Sequence, residues 1–130
     1  MAHMVEAIRV QWADVDAGGG VHHSLASRWA EQVEHALLRS LGVAPHRFPR
    51  RRIDVEFHRP LRFGDCFDLA LRIERVGRTS VVYCWAAVRE DVVHFSGRTV
   101  VVHVDEGGRP LPVPAELRRL ASAAAPHGET

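Results

Sequence analysis

The chain has no lysine: all 17 of its basic side chains are arginine. Any basic side chain that grips a phosphate must therefore use the planar guanidinium fork. Cysteine is also scarce. Cys66 and Cys84 make neither a CxxC pair nor a disulfide framework, and they read as reduced, mostly buried thiols of a cytoplasmic protein. Charge of one sign is missing too. The 17 basic residues face 16 acidic ones, a net charge of +1, which excludes a general nucleic-acid binder. No apolar run approaches the length of a membrane span, so no membrane partner is expected. No charged start followed by an apolar core and a cleavage site is present, so no secretory leader is expected. GxxxxGK[ST] and a strand-borne GxGxxG are absent, which removes support for nucleotide-dependent phosphoryl or hydride transfer. Gly-x-Ser-x-Gly is absent, and so are HExxH and Cys/His zinc spacing. Neither a serine triad nor a metal site is expected.

What is present is a globular composition, with 46% apolar and 25% charged residues. A length of 130 residues gives one domain, 1–130, with its core over about 5–120. Residues 5–13 alternate through Val5, Ala7, Ile8, Val10 and Trp12 and read as a strand. Residues 14–22 form a turn. Residues 24–41 repeat apolar side chains at four-residue spacing (Leu25, Trp29, Val33, Leu37, Leu41), with Ser24 as cap and Gly42 as stop. Prolines make 43–50 a loop. Four strands follow at 52–59, 66–76, 79–89 and 92–104, with hairpin turns at Gly77-Arg78 and Glu90-Asp91. A short helix is expected over 114–122, and the tail 123–130 reads as frayed. One strand, one long helix and an antiparallel meander make an α+β pattern, in which a five-stranded sheet must wrap the helix to bury its apolar face. Strand 92–104 is apolar on both faces in places, which suggests pairing with another subunit.

The chemistry concentrates where the first strand meets the helix. Asp16 precedes Gly18-Gly19-Gly20, and His23 follows just before the helix. A carboxylate there supplies a nucleophile or a base, and backbone N–H groups at the helix start stabilise an oxyanion. Asp before glycine also builds an Asx-type turn, so the spacing alone leaves both readings open. The glycines permit positive φ and close approach of a ligand to the backbone.

The run Asp14-Val15-Asp16-Ala17-Gly18-Gly19-Gly20-Val21-His22-His23 resembles the Asp-Thr-Asp-Ala-Gly-Gly-Val-Val-Tyr-His signature of hotdog-fold acyl-CoA thioesterases. The similar branch is that of 4-hydroxybenzoyl-CoA thioesterase and the Tol–Pal acyl-CoA thioesterase. The resemblance continues through Arg28-Trp29, Leu41-Gly42, Arg59-Pro60-Leu61-Arg62-Phe63-Gly64-Asp65, Val76-Gly77-Arg78-Thr79-Ser80 and Gly108-Arg109-Pro110-Leu111-Pro112-Val113-Pro114. It implies the hotdog fold, a five-stranded antiparallel sheet around one long central helix, and hydrolysis of an acyl or aryl thioester. The substrate would be a thioester of coenzyme A or of carrier-protein pantetheine. No cofactor is implied, because coenzyme A is part of the substrate.

The resemblance makes Asp16 the acting carboxylate, as nucleophile or general base, and gives His23 an oxyanion role through its N–H. Trp12 stands where several relatives carry Tyr. It cannot titrate and is expected to line the acyl pocket with Gly19, Gly20, Val21 and His22. Arg59, Arg62, Arg78, Thr79 and Arg109 are the expected coenzyme A contacts. Edge-to-edge dimers, often paired into tetramers, are implied, with active sites at the dimer seam. Two alternatives stay open. A hotdog dehydratase or hydratase uses motifs such as Asp-x-Asn-Pro-x-His that are missing here. A non-catalytic acyl-CoA-binding domain would keep the pocket and arginines without needing Asp16.

Overall fold

Alternating apolar residues set five strands, and one helical stripe sets the element they wrap, in the computed structural model, which describes residues 1–123. The strands are β1 (Met4–Arg9), β2 (Arg50–Phe57), β3 (Cys66–Val76), β4 (Ser80–Arg89) and β5 (Val92–Val102). Helix α1 spans Leu25–Ser40, and a short α2 spans Ala115–Ala123. The sheet is antiparallel in the order β1-β3-β4-β5-β2. This is the hotdog arrangement, with a short second helix packed on β3. The tail expectation falls on residues 124–130, outside the described residues; Ala123 closes α2.

Helix α1 buries Ala26, Trp29, Ala30, Val33, Leu37 and Leu38 against the sheet's inner face. That face carries Phe67, Leu69, Leu71 and Ile73 of β3 with Val81, Trp85 and Ala87 of β4. Each fully buried large apolar side chain contributes roughly 1.5–3 kcal/mol, so the helix is held by packing rather than by propensity. Gly42, at φ 73°, ends the helix as expected, with the Val43 N–H bonded back to the Leu38 carbonyl at 2.9 Å. Ser24 stands at the N-cap position as expected, but without a side-chain capping bond. It already lies in the helical region (φ −67°, ψ −18°). Instead the His22 ring accepts the Ser24 N–H at Nδ1, 3.2 Å away.

Several boundaries differ from expectation. β1 stops at Arg9, because the Val10 N–H turns to the Asp65 carbonyl and the Gln11 N–H to the Asp14 carboxylate. Trp12–Asp14 is a single 3-10 turn, not strand. Arg50 and Arg51 belong to β2, whereas His58 and Arg59 leave it. The β3–β4 loop is Gly77–Thr79, one residue longer than expected. Residues 103 and 104 leave β5, and Val104 makes an isolated bridge to Pro110. Cys66 is exposed and Cys84 half-buried, not mostly buried; both are free thiols.

Only β3, β4 and β5 form the meander. β2 sits at the far edge beside β5, so residues 58–65 must cross an end of the sheet to reach β3. That crossing is tied to three elements in turn. The His94 carbonyl at the start of β5 accepts the N–H groups of His58 and Arg59. The Leu61 carbonyl accepts the Val21 N–H, and the Val10 carbonyl accepts the Gly64 N–H.

Among the described residues one ion pair joins a buried carboxylate to a half-buried arginine. Glu34 of α1 is 2% exposed, and an Arg50 Nη lies 2.8 Å from its carboxylate. Burial pushes the Glu34 carboxyl above its ordinary range, with Arg50 pulling it back. The Tyr83 hydroxyl is buried without a partner among the described residues. Burial, then the Glu34 charge, pushes it far above its ordinary value. Among the described residues no helix is long and apolar enough to cross a membrane.

Candidate active site

The Asp16–Gly20 loop closes on itself. The Asp16 N–H donates to the Gly20 carbonyl at 2.8 Å, and the Gly19 N–H to the Asp16 carbonyl at 3.0 Å. The Asp16 Oδ1 accepts the Gly18 N–H at 2.9 Å, which leaves Oδ2 without a partner among the described residues. Gly19 has φ 85°, a conformation that side chains with a Cβ adopt at a cost. A Val15–Val21 bridge ties the two ends of the loop. Asp16 thus makes the Asx-type turn with one oxygen and presents the other.

The loop and the first turn of α1 form one wall of a pocket of about 370 Å³, through Asp16, Val21, His23 and Ala26. The end of β2 and the crossing segment add Phe57, His58, Arg59, Pro60 and Leu61 to the lining. Phe95 of β5 completes the lining. The volume lies in the range of small-molecule sites. The His23 N–H has no acceptor among the described residues, and it sits beside the positive end of α1. A carboxylate oxygen and an open N–H donor therefore border one cavity with apolar walls, the combination that acyl transfer needs.

The expected residues divide into four groups. Asp16, Val21, His23 and Arg59 border the pocket. Gly19, Gly20 and Arg62 lie beside it. Gly20 bridges Arg62, and an Arg62 Nη lies 3.9 Å from where a Cβ on Gly19 would stand. His22 turns away to Ser24 Oγ at 2.8 Å and stacks against His23 with ring centroids 4.2 Å apart. Trp12 is 73% exposed and meets Phe63 edge to face at 5.4 Å, outside the pocket lining.

Arg78, Thr79 and Arg109 stand at the opposite end of the sheet. The Thr79 carbonyl accepts the His103 N–H and the Arg78 carbonyl the Val113 N–H, while the Arg109 N–H donates to the Asp105 carboxylate. Phe95 at the pocket and Val102 at that end are separated by seven steps along β5, ~23 Å of strand. Within one chain these three residues cannot reach the pocket beside Asp16.

His58, Phe57 and Phe95 were not among the sequence candidates for this site. The one available signal for His58 was its place beside Arg59 before Pro60-Leu61. Phe57 and Phe95 carry no motif and read as ordinary strand aromatics. Cys84 donates its thiol hydrogen to Glu74, and burial pushes that thiol up, so it is a poor nucleophile. Among the described residues no three His, Cys, Asp or Glu side chains converge as a metal-binding set.

Comparison with known proteins adds the family. A family model described as the thioesterase superfamily matches residues 18–95. An uncharacterized acyl-CoA thioester hydrolase of Zymomonas mobilis is 37% identical over 98 residues, covering 69% of this chain and 61% of that protein. An acyl-CoA thioester hydrolase of Escherichia coli is 28% identical over 106 residues, covering 75% and 79%. A Thermus thermophilus thioesterase, solved with coenzyme A and zinc, has the same fold. Its TM-score is 0.85 at 22% identity, over 94% of this chain and 93% of that one.

Proposed function

Because the chain belongs to the thioesterase superfamily, we propose that it hydrolyses an acyl or aryl thioester of coenzyme A, or of carrier-protein pantetheine, to free acid and thiol. The observation that carries this reading is the shared pocket of the Asp16 carboxylate and the open His23 N–H. The thioester carbonyl lies against the start of α1, with its oxygen toward that N–H. Asp16 either attacks the carbonyl carbon or takes a proton from the water that does. Collapse of the tetrahedral intermediate breaks the C–S bond, and the pantetheine thiolate leaves. Where Asp16 is the nucleophile, water then hydrolyses the acyl–Asp16 anhydride, which frees the acid and restores the carboxylate. Coenzyme A enters as substrate, and the reaction needs no cofactor.

The decisive experiment measures thiol release from a panel of acyl- and aryl-CoA esters, with wild type beside Asp16→Asn. Asparagine keeps the Asx-type turn and removes the charge. Loss of the carboxylate is expected to lower kcat about 10²–10⁴-fold. Equal turnover in the two proteins would leave Asp16 as a turn residue only.

The working unit in this reading is a homodimer joined through the outer edge of β2. Three observations support it. That edge has no strand partner among the described residues. Ile53 and Phe57 on it are 45% and 57% exposed. Its charges reverse along the strand, from Arg51 and Arg52 to Asp54 and Glu56, so an antiparallel second copy sets arginine against carboxylate. The same antiparallel pairing carries the Arg78 end of one copy to the Asp16 end of the other, so both halves of a coenzyme A site meet.

A further inference from the structure

We propose that the acyl group taken by this pocket bears a second carboxylate, held by Arg59 and His58 in the lining they share with Asp16. The inference rests on the thioesterase reading and narrows its substrate class to monothioesters of dicarboxylic acids.

The first observation is the sign of the wall. His23, His58 and Arg59 border the pocket, and Asp16 is the sole acidic residue in its lining. The Arg59 guanidinium makes no ion pair or hydrogen bond among the described residues. Five other arginines (Arg47, Arg50, Arg52, Arg89 and Arg98) each hold a carboxylate. An arginine left open at a cavity presents a planar fork that matches a carboxylate through two parallel N–H···O bonds.

The second observation is the rigidity of that wall. The His94 carbonyl accepts both the His58 N–H, at 2.9 Å, and the Arg59 N–H, at 3.0 Å. His94 is itself 9% exposed, and its Nδ1 lies 3.2 Å from the Pro60 carbonyl oxygen. His58 Nε2 pairs with Ser96 Oγ at 3.1 Å, so its Nδ1 remains for a ligand. The backbone that carries both side chains and the His58 ring are thus preset before any ligand arrives, which lowers the ordering cost of binding.

The third observation separates the acyl group from coenzyme A as the source of the anion. The phosphates of coenzyme A stand at the far end of the pantetheine arm from the thioester. Arg59 borders the same 370 Å³ cavity as Asp16, so an anion it meets there belongs to the acyl side. The apolar part of the same lining is Phe57, Leu61 and Phe95, with Val21, Ala26 and Pro60. A spacer of several carbons or an aromatic ring fits that surface, and it keeps the second carboxylate away from Asp16, which would repel it.

The test compares kcat/KM within matched pairs of esters: adipoyl-CoA against hexanoyl-CoA, and 4-carboxybenzoyl-CoA against 4-methylbenzoyl-CoA. Wild type is expected to favour the acidic member of at least one pair by about 10- to 100-fold, the range of one charge-assisted contact. In Arg59→Gln and in His58→Leu that ratio falls toward one, chiefly through KM. A wild-type ratio of one or less overturns the proposal and leaves the thioesterase reading standing. An Arg59→Gln protein that loses equally on both members also overturns it, by assigning Arg59 to the coenzyme A moiety. Calorimetric titration of the same esters into the Asp16→Asn protein reads the preference without turnover. Tighter binding of the acidic ester there supports the proposal even if wild type hydrolyses nothing, and equal binding overturns it.

Discussion

Tyr83 holds a hydroxyl in the core with no partner among the described residues, close enough to Glu34 to feel its charge. A buried unmet donor costs about 1–3 kcal/mol relative to a bonded one. Tyr83→Phe is therefore expected to leave stability unchanged or raise it by about 1 kcal/mol. Denaturant melts of the two proteins check this, and a loss would show that the hydroxyl holds a bound water. His3 behaves differently. Its Nδ1 accepts the Ile73 N–H at 2.9 Å, and burial is the main cause that holds its pKa below the ordinary value. Folding thus favours neutral His3. Its contribution is complete above about pH 6.5 and is lost as pH falls through the lowered folded-state value. The melting temperature of wild type should fall between pH 7.5 and 5.5 more steeply than that of His3→Ala. Equal slopes would remove His3 from the balance. The site residues show what a motif can convey. Asp16 and His23 were readable because a glycine loop entering a helix fixes where a carboxylate and an N–H stand. Trp12 was misread as strand because its alternation continues past the point where Val10 and Gln11 turn their N–H groups to other partners.

At the level of elements, α1 was readable nearly to the residue, because its apolar positions recur with the helical period and Gly42 ends it. The position of β2 was not. Alternation tells which face of a strand is buried but not which strand lies beside it, so the crossing by residues 58–65 was invisible, and with it His58. Gly97 shows a second limit. It looked like an ordinary strand residue, yet a Cβ there would lie 2.4 Å from the Trp85 ring and 2.5 Å from the Asp54 carbonyl oxygen. Trp85 cannot yield freely, since its Nε1 donates to the buried Thr99 hydroxyl at 2.9 Å. Gly97→Ala is expected to destabilise by about 1–3 kcal/mol through overpacking, and near-UV circular dichroism should report a moved indole. Unchanged melting would mean that β2 and β5 separate at little cost. The β4–β5 turn was placed correctly. Glu90 and Asp91, at φ 53° and 63°, make the two-residue turn whose twist suits a hairpin.

For the whole molecule, the separation between the Asp16 pocket and the Arg78 end sets the terms. Pairing through β2 predicts that Ile53→Asp, a charge placed on the exposed edge, yields a smaller species by light scattering. It should keep the far-UV spectrum of the fold while losing most turnover. A variant that stays fully active as a monomer would refute the shared site. The ~23 Å between the two halves has a further consequence for mixtures. In the proposed β2-paired dimer, Asp16→Asn lacks one half of the shared site and Arg78→Ala the other, so each protein alone is expected to be impaired. Unfolded together in equal amounts and refolded, they form hybrid pairs in which one site inherits both intact halves. About a quarter of the wild-type sites should return. Two damaged proteins would then restore each other's activity.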